Sequence, residues 1–390
     1  MHSSPTTQEM TAQAQSLDTS PEDLSVLACD DMPEVRISVA RHPRCPASLL
    51  SMPGHQEKPH TLTLAIDADE DVRCAVAENM LCPIDTLRCL AKDQRWEVRL
   101  AVASNANCPV DVLHALAKDC DPDVRCFVCS NPNTSLELLN ALATDDFPNV
   151  RAHAAGRASC PPAILAKLAS DDSDPVRRSV ASNTTASGDI LAQLARDEDW
   201  EVRALLAENP HTPTETLQSL AEDENDDVRQ FVARNRLCPV ELLIQLSNDP
   251  KWYVRQVVPV NLNCPVDVLE KLAFDSFRNV RAAVAINVRT PLKKLFELAC
   301  YDQEMEVREN AKKSLREISS ESWSHAITDG LSLETQIGTK HSVATLLIHA
   351  EMTDIYQTIQ SLEMEKRIRS ASGMKMPREL TPISREKLQL

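Results

Sequence analysis

Arginine and aspartate recur in this chain at a fixed spacing that could support charge chemistry. A Val-Arg pair recurs at 11 equivalent repeat positions, mostly at intervals of 26 residues, and an aspartate stands six positions before each of these arginines. A guanidinium has five N–H donors, so each arginine could satisfy a carboxylate in its own repeat and groups in the next. The alternative is a phosphate-binding stripe, which the strict pairing with an aspartate disfavours. The central members of the paired set are Asp67, Arg73, Asp93, Arg99, Asp119, Arg125, Asp145, Arg151, Asp171, Arg177, Asp197, Arg203, Asp223, Arg229, Asp249, Arg255, Asp275 and Arg281.

Aromatic and acidic residues beside the recurring valine are the candidates for partner binding. Three tryptophans share the slot two positions before it, and an acidic row occupies the slot one position before it. The tryptophans could anchor an interface or pack between helix starts. The carboxylates could stabilise helix N-termini or form a negative stripe for a basic partner. The candidates are Trp96, Trp200, Trp252, Tyr253, Glu97, Asp123, Glu201 and Asp227.

Signals for catalysis or metal binding are weak. The sequence has no phosphate-cradling glycine loop, no His-Glu metal helix and no nucleophile elbow. Cys120, Cys126 and Cys129 lie close together, but three thiols without a fourth ligand make a poor metal site, and we interpret them as small residues on a helix. We therefore predict no catalytic, cofactor-binding or metal-binding residue, and no cofactor.

Two short helices in each repeat must position these side chains. The stretch "TPTE" at Thr212 predicts an N-cap threonine, a proline at the first helical position and Glu215 reaching back to the cap. The second helix starts after the aspartate, carries valines four residues apart, and ends in eight repeats at an asparagine. Asparagine tolerates a left-handed turn, and its amide can bond the backbone of a tight connection. Such pairs cannot bury their apolar faces alone, so neighbouring repeats must stack.

Composition limits the class of protein. The 390 residues are 43% hydrophobic and only 3% aromatic, which suits helix packing by Leu, Val and Ala. We expect a cytoplasmic protein without a membrane span, because there is no long apolar run and no signal-peptide plan at the start. The net charge is -17, and the first 310 residues hold 48 acidic and 30 basic side chains, which disfavours nucleic acid as a partner.

The repeat also carries a family resemblance. The second helix, as in Asp119 to Cys129, resembles the signature of HEAT-type repeats, and the whole unit, "NxxCPxDxLxxLAxD", resembles the leucine-rich repeat variant family. The resemblance implies an all-α fold, a right-handed α-solenoid superhelix of about eleven 26-residue two-helix repeats, with a C-terminal helical extension. In HEAT-type repeats the recurring Asp and Arg form a ladder, so the resemblance also implies a structural ladder for the Asp and Arg pairs of this chain. The founding type of that family carries an iron-sulfur cluster before its repeats. This chain has only Cys29 there, so we do not transfer a cluster.

The chain is expected to have four segments. Residues 1–19 and 371–390 are expected to be disordered, 20–318 to form the repeats, and 319–370 to form a helical cap or association segment. Within the last of these, a heptad-like seam comprises Ile348, Met352, Ile355, Ile359 and Leu362. It predicts either a cap on the final repeat or self-association through residues 346–366.

These observations predict a non-catalytic scaffold for protein-protein interaction, with an extended acidic surface and a protein partner that has a basic surface. One alternative is a HEAT-like DNA-binding protein or DNA glycosylase. A second is a metal or iron-sulfur redox accessory protein.

Overall fold

A computed structural model of the chain describes residues 6–52, 63–337 and 341–372. It divides into two compact units, an N-terminal unit, Met1–Ile190, and a C-terminal unit, Leu191–Leu390. Apart from two short strands, the described secondary structure of both units is helical and consists of successive helix pairs. The predicted all-α solenoid fold is therefore confirmed.

The N-terminal unit contains thirteen complete α-helices among its described residues, and a 3-10 helix at Leu64–Ile66. They are α1 (Thr7–Gln15), α2 (Pro21–Leu27), α3 (Pro33–Arg41), α4 (Ala47–Leu50), α5 (Glu70–Glu78), α6 (Ile84–Leu90), α7 (Trp96–Ser104), α8 (Val110–Leu116), α9 (Pro122–Ser130), α10 (Leu136–Leu142), α11 (Pro148–Gly156), α12 (Pro162–Leu168) and α13 (Asp174–Ser182). The next helix, α14 (Gly188–Leu194), contains the division between the units.

The C-terminal unit continues the same alternation, and a 3-10 helix at Val258–Val260 follows α19. Its helices are α15 (Trp200–Glu208), α16 (Thr214–Leu220), α17 (Asp226–Arg234), α18 (Val240–Leu246), α19 (Trp252–Val257), α20 (Val266–Leu272), α21 (Arg278–Ile286), α22 (Leu292–Tyr301), α23 (Met305–Arg316), α24 (Ser320–Thr328), α25 (Val343–His349) and α26 (Thr353–Ser372). Strands β1 (Gln336–Ile337) and β2 (His341–Ser342) pair antiparallel.

From α2 to α23, even-numbered helices are the first helices of the repeats and odd-numbered helices are the second. Leucines of the first helix, such as Leu113, and valines of the second, such as Val124 and Val128, are fully buried. Within each unit, successive second helices contact one another along their length, whereas successive first helices have few contacts. In each unit the second helices therefore form a row whose outward side chains lie close to those of the neighbouring repeats. We call this surface the second-helix row of the unit.

Arginines and aspartates do pair along the repeats, but each paired arginine bonds to the aspartate of the next repeat and not to that of its own repeat. Arg99 donates Nε to Asp119 at 2.6 Å and Nη2 to the other oxygen of the same carboxylate, which lies in the next repeat. Its own repeat supplies backbone carbonyl oxygens, including that of Asp93 at 2.9 Å. The expectation that the carboxylate comes from the arginine's own repeat is wrong, because the fork of donors reaches forward across the repeat boundary.

Nine such pairs are described within the units, and all are nearly buried. Their Nε–Oδ2 distances are 2.6–2.8 Å, and the arginine side chains are 9–17% exposed. Arg177 donates to the carbonyls of Asp171 and Asp172, and Asp197 accepts from the backbone N–H of Asp199. Two parallel charge-assisted hydrogen bonds per pair hold each repeat in register with the next.

Hydrogen bonds favour the ionised form of several ladder carboxylates. Burial by itself would raise the pKa of Asp119, but hydrogen bonds from the Arg99 guanidinium and the backbone N–H of Asp121 outweigh it, so the pKa lies below its ordinary value. The pKa is lowered, with burial again the largest opposing cause, for Asp93, Asp145, Asp275 and Asp302.

A second ladder, of asparagines, was not expected in this form. Asn105 ends α7 as predicted, but its φ of -67° and ψ of 122° are extended, so the predicted left-handed turn is wrong. Its Nδ2 instead donates to the carbonyls of Ala77 and Asn79 in the preceding repeat, at 2.6 and 3.1 Å. Arg157 replaces the asparagine in one repeat and donates to two carbonyls in the same way. The amide therefore joins repeats as well as ending helices.

The predicted capping box at Thr212 is wrong. Helix α16 begins at Thr214, and Pro213 at its N-cap makes no side-chain capping bond. The buried hydroxyl of Thr212 donates instead to the carbonyl of Leu206, 2.6 Å away at the end of the preceding helix. The cysteines in this slot, such as Cys108, are likewise buried. The slot therefore fills a small space behind the second helix.

The chain ends also differ from expectation. Residues 7–15 form helix α1 with a capping box between Thr6 and Glu9, inside the segment expected to be disordered. At the other end, the expected disordered tail lies outside the described residues from position 373 onward.

The heptad-like seam is split between two helices, because Glu351 adopts a left-handed φ of 57° between α25 and α26. Met352, Ile355 and Ile359 are buried, and α26 packs against α24 and α25. Ile348 is exposed. These contacts fit the cap interpretation, while self-association through residues 346–366 stays a prediction.

Candidate functional site

The three candidate tryptophans are each the first residue of a second helix, which places them at the edge of the second-helix row. Trp96 opens α7, Trp200 opens α15 and Trp252 opens α19. The turn before each helix is fixed by the ladder aspartate. Asp93, for example, accepts from the backbone N–H of Arg95 at 2.9 Å. The ladder aspartate therefore fixes the start of the helix and with it the position of the tryptophan.

Trp96 lies in an open cavity of about 390 Å³ that crosses three successive second helices, α3, α5 and α7. We call it the Trp96 depression. The indole is 38% exposed, and the neighbouring Glu97 is half-buried. Its lining includes Asp71, Cys74, Glu78, Trp96, Glu97 and Leu100. The structure thus brings two of the predicted site residues, Trp96 and Glu97, into one concave surface.

The Trp96 depression has a negative balance of charge. It is lined by the carboxylates of Asp71, Glu78 and Glu97 against one guanidinium, that of Arg41, which pairs with Glu78 at 3.1 Å. Glu97 Oε2 is buried and accepts no hydrogen bond among the described residues, and the nearest cation, Arg95 Nε, lies 3.8 Å away. Among the described residues, Asp71 has no ion pair and Glu97 has only this contact at 3.8 Å, which favours a positively charged occupant.

Cations at the edge of the depression are engaged elsewhere. The Arg95 guanidinium binds Glu70 at 2.5 Å, and this hydrogen bond raises its pKa above the ordinary value.

The thiol of Cys74 in the lining has its pKa raised to about 11, first by burial and then by neighbouring carboxylates. The lining therefore holds a neutral thiol at neutral pH.

A second cavity lies further along the second-helix row of the same unit. It has a volume of about 430 Å³ and crosses α9, α11 and α13, with Asp123, Cys126, His153 and Arg157 among its lining residues. Gly156 also lines it, and no atom lies within 4 Å of the place where a Cβ would stand. The predicted residue Asp123 is therefore separate from the Trp96 depression. It shares this cavity with His153, which the sequence gave no reason to select.

In the C-terminal unit, Trp252 is held in an aromatic cluster. Its ring stacks on Phe277 with centroids 5.7 Å apart and meets Tyr253 edge-on at 5.6 Å. The hydroxyl of Tyr253 donates to the Asp226 carboxylate, which also lies 3.4 Å from Lys251 Nζ. Trp252 therefore packs between helix starts, which is one of the two interpretations that the sequence allowed.

The hydroxyl contact shifts both partners. The hydrogen bond to Asp226 raises the pKa of Tyr253 to about 12, and the same bond lowers the pKa of Asp226 below its ordinary value. Asp226, not the predicted Asp227, is thus the carboxylate in this cluster. Asp227 is half-buried, and its backbone N–H bonds to the capping side chain of Asn225.

The remaining predicted pair, Trp200 and Glu201, opens α15. The indole of Trp200 is 39% exposed, and Glu201 is half-buried with its backbone N–H bonded to Asp199. Neither residue lines the Trp96 depression or the second cavity. The predicted acidic and aromatic residues therefore do not form one site.

The arginines do not form a phosphate-binding stripe. Their Nε and Nη2 atoms hold the next aspartate, and Nη1 holds carbonyl oxygens of their own repeat. Two guanidiniums also lie over phenylalanine rings, Arg125 over Phe147 at 5.1 Å and Arg255 over Phe277 at 5.6 Å. The phosphate interpretation fails because these donors are already committed.

The cysteine cluster gives no support to a metal site. Burial raises the pKa of Cys126 to about 11 and of Cys129 to about 12, which disfavours the thiolate form that metals bind. Within 6–52, 63–337 and 341–372, no group of three or more His, Cys, Asp and Glu side chains is placed to hold a metal ion. Cys120 is exposed, whereas Cys126 and Cys129 are buried.

Sequence reasoning missed Glu78 and Arg41, which line the Trp96 depression together with residues of the acidic row. Glu78 follows Asp71 by seven residues, a spacing that returns to the same helix face. That periodicity could have identified Glu78 and Arg41 as parts of the same surface. The cavity itself depends on the spacing of neighbouring helices, which the sequence does not state.

Comparison with known proteins supports the expected resemblance. A model of the leucine rich repeat variant family matches residues 200–225, one repeat. A search of curated protein sequences gives no match. The resemblance to this family is therefore confirmed at the level of the repeat.

Solved structures with a similar fold include a leucine-rich repeat variant with a novel repetitive structural motif. It is 27% identical over 57% of this chain and 87% of that chain, with a TM-score of 0.45. Kap95p in a structure with RanGDP is 12% identical over 84% of this chain and 58% of that chain, with a TM-score of 0.40.

A third is the karyopherin Kap121p bound to the extreme C-terminus of the protein phosphatase Cdc14p. It is 13% identical over 83% of this chain and 44% of that chain, with a TM-score of 0.38. With TM-scores below 0.5, these likenesses leave the interpretation of the surface to its own residues.

Proposed function

We propose that this protein is a non-catalytic interaction scaffold whose second-helix row binds a basic segment of a partner protein. The observation that carries this proposal is the Trp96 depression, which combines a partly exposed indole with three carboxylates and only one lining arginine. An ammonium or guanidinium group can lie against an indole face while it pairs with a carboxylate. A basic side chain therefore satisfies both kinds of lining group.

The charge of the whole chain supports the same kind of partner. The net charge is -17, and the ladder arginines form ion pairs with nearly buried aspartates. The acidic row, whose carboxylates are exposed or half-buried, is therefore not neutralised by them. A basic partner would be attracted by this field, with an association rate that falls as salt increases.

The DNA-binding alternative has no observation in its favour. Duplex binding requires clustered Lys and Arg that are free to neutralise phosphates. The recurring arginines are 9–17% exposed and doubly bonded to carboxylates, and the Trp96 depression is negative. We therefore keep the scaffold as the single proposal.

We place the protein in the cytoplasm. All 13 cysteines are free thiols, which suits a reducing compartment. No helix in the part of the chain that the structure describes is long and apolar enough to cross a membrane.

The test is a binding titration with a fluorescein-labelled peptide that alternates arginine and serine, followed by anisotropy. We expect saturable binding that weakens steeply with salt, and a loss of about tenfold or more in the double variant Asp71→Asn with Glu97→Gln. The matched control is Asp85→Asn with Glu137→Gln, which removes two exposed carboxylates from first helices of the same unit. Its affinity should stay within about twofold.

Two outcomes would contradict the proposal. One is equal loss in the control variant, which would mean that net charge alone attracts the peptide. The other is saturable binding of duplex DNA at physiological salt without binding of the peptide.

A further inference from the structure

The C-terminal unit contains a cavity of about 560 Å³ that the acidic surface does not explain. We call it the C-terminal cleft. It lies between the ends of α20 and α22 and the β1–β2 hairpin, and its lining includes Phe274, Lys294, Leu298, Tyr301, Ile337 and His341. Its size lies within the range of ligand-binding clefts, and its walls are mainly apolar and aromatic.

Two aromatic residues in the cleft break the repeat pattern. Phe274 stands directly before the ladder aspartate of its repeat, and Tyr301 stands in the same slot of the next repeat. In the seven repeats directly before them this slot is polar or charged, occupied by Lys92, Lys118, Thr144, Ser170, Arg196, Glu222 and Asn248, and the first two repeats have the non-aromatic Cys29 and Ile66. The aromatic pair is therefore a local departure from the solenoid frame and not a requirement of it.

Both rings are open to solvent. Phe274 is 72% exposed and Tyr301 is 51% exposed. Helix α22 is ten residues long, whereas the other first helices of this unit from α16 to α20 have seven, and the longer helix carries Tyr301 at its end. Two large exposed rings beside one cavity form an apolar surface that a partner can cover.

The charged groups of the cleft are neutralised within the protein. Lys294 Nζ pairs with Glu297 at 2.7 Å and lies 4.2 Å from the centre of the Phe274 ring. Arg281 pairs with Asp302 at 2.6 Å. A charged occupant would lose its hydration without finding an uncompensated opposite charge, so an uncharged occupant is favoured.

The wall opposite the helices comes from the hairpin. Ile337 pairs with His341 across the two strands, and the His341 ring lies 6.1 Å from the Tyr301 ring. Tyr301 has its pKa raised, mainly by burial, so its hydroxyl is neutral at physiological pH. The cleft thus offers aromatic faces, an apolar wall and neutral polar groups at its edge.

We propose that the C-terminal cleft docks one uncharged aromatic side chain, a tryptophan or phenylalanine, presented by a segment of a partner protein. The open sides of Phe274 and Tyr301 favour a side chain on a larger surface, because the rest of that surface would cover the outer faces of the two rings. This recognition goes beyond the acidic surface, since it selects an aromatic anchor and not a positive charge.

The experiment uses the full chain and a short uncharged peptide, acetylated and amidated, with one 5-fluorotryptophan flanked by glycine and serine. Binding is followed by fluorine NMR. We expect saturable binding that is weakened at least tenfold by Phe274→Asn and by Tyr301→Asn, and retained in Phe274→Tyr. The control Leu262→Asn changes another exposed apolar residue of the same unit, at 69% exposure, and should leave binding unchanged.

Competition experiments decide the chemistry. The same peptide with arginine in place of tryptophan should compete at least tenfold less well, and free indole should compete less well than the peptide. The proposal is overturned if the peptide does not saturate, if Phe274→Asn binds normally, if the arginine peptide competes better, or if free indole competes as well as the peptide or better. Far-ultraviolet circular dichroism of each variant confirms that the fold is retained, and the Phe274→Tyr variant separates a lost contact from lost structure.

Discussion

Trp96 and Trp252 occupy the same position of their repeats, yet their surroundings differ. Trp96 opens α7 beside carboxylates in an open cavity, whereas Trp252 opens α19 and is stacked on Phe277. The frame beneath them is the same, because Arg99 and Arg255 make the same paired bonds to the next aspartate. Identical scaffolding therefore carries one residue available for binding and one used for packing.

The neighbours in register explain the difference. Where the Trp252 cluster has Phe277, the repeat after Trp96 has Asp121, which caps α9. Arg234 stands in the register position of Glu78, and Tyr253 in that of Glu97. Around Trp252, two aromatic rings, Phe277 and Tyr253, therefore stand where two carboxylates stand around Trp96. The role of the tryptophan in this slot depends on the variable residues around it.

The largest expected effect falls on the frame shared by both regions. Six ladder aspartates have pKa values below the ordinary value of 3.8, so their contribution to stability is present above that pH and is lost as the pH falls through the lower native values. They are Asp93, Asp119, Asp145, Asp171, Asp275 and Asp302. We expect both regions to lose structure together in acid below about pH 4. Near-ultraviolet circular dichroism of single-tryptophan variants against pH measures this. Loss of one region two pH units before the other would contradict a shared frame.

Arg99→Met and Arg255→Met test the frame one bond pair at a time. Each leaves a nearly buried aspartate without its cation, and we expect each to lower the free energy of unfolding by about 3 kcal/mol. Urea unfolding measures the change. The control is Arg88→Met, whose exposed pair with Asp111 should be worth less than about 1 kcal/mol. A negligible loss in either ladder variant would remove the ladder as the stabilising frame.

Trp252→Ala and Trp96→Ala distinguish a tryptophan that packs within the protein from one that is free to contact a partner. Trp252 loses stacking with Phe277 and the edge contact with Tyr253, so we expect a cost of about 2–3 kcal/mol, against about 1 kcal/mol for Trp96. Urea unfolding of the two variants gives the order. The reverse order would show that the Trp96 indole, and not that of Trp252, is the structural one.

The smallest expected effect is a change of titration. Tyr253→Phe removes the hydrogen bond that lowers the pKa of Asp226, so that pKa should move up toward its ordinary value. The contribution of Asp226 to stability is present above its unfolded pKa and is lost in acid, so the variant should differ from the native protein least at low pH. NMR titration of the Asp226 carboxyl measures the shift, and an unchanged pKa would exclude this hydrogen bond in solution.

The periodicity of the sequence was sufficient for the helix pairs, the buried valines and the repeating arginine-aspartate bond, because 26-residue spacing and helical spacing are local properties. It did not give the direction of the ladder, since a fork at Arg99 can reach either the same repeat or the next. Thr212 and Asn105 were misjudged for the same reason. Their side chains bond to groups brought close by packing, and a cap motif read along the chain does not show these.

The candidate site was predictable in part. Trp96 and Glu97 were identified from their slots, but the choice between anchor and packing residue for Trp96 and Trp252 needed the neighbours in space. Glu78 contributes to the Trp96 depression from a different helix, and Phe277 contributes to the Trp252 cluster from the next repeat. Such contacts depend on how closely the second helices approach each other.

The most direct test is to observe the indole Nε1–H resonances of Trp96 and Trp252 by NMR while the arginine-serine peptide is added to the full chain. We expect the Trp96 resonance to shift saturably with the peptide and the Trp252 resonance to stay in place. A shift of Trp252 with Trp96 unmoved would contradict the assignment of binding to the acidic depression, and a saturable peptide that moves neither resonance would place its site elsewhere on the protein.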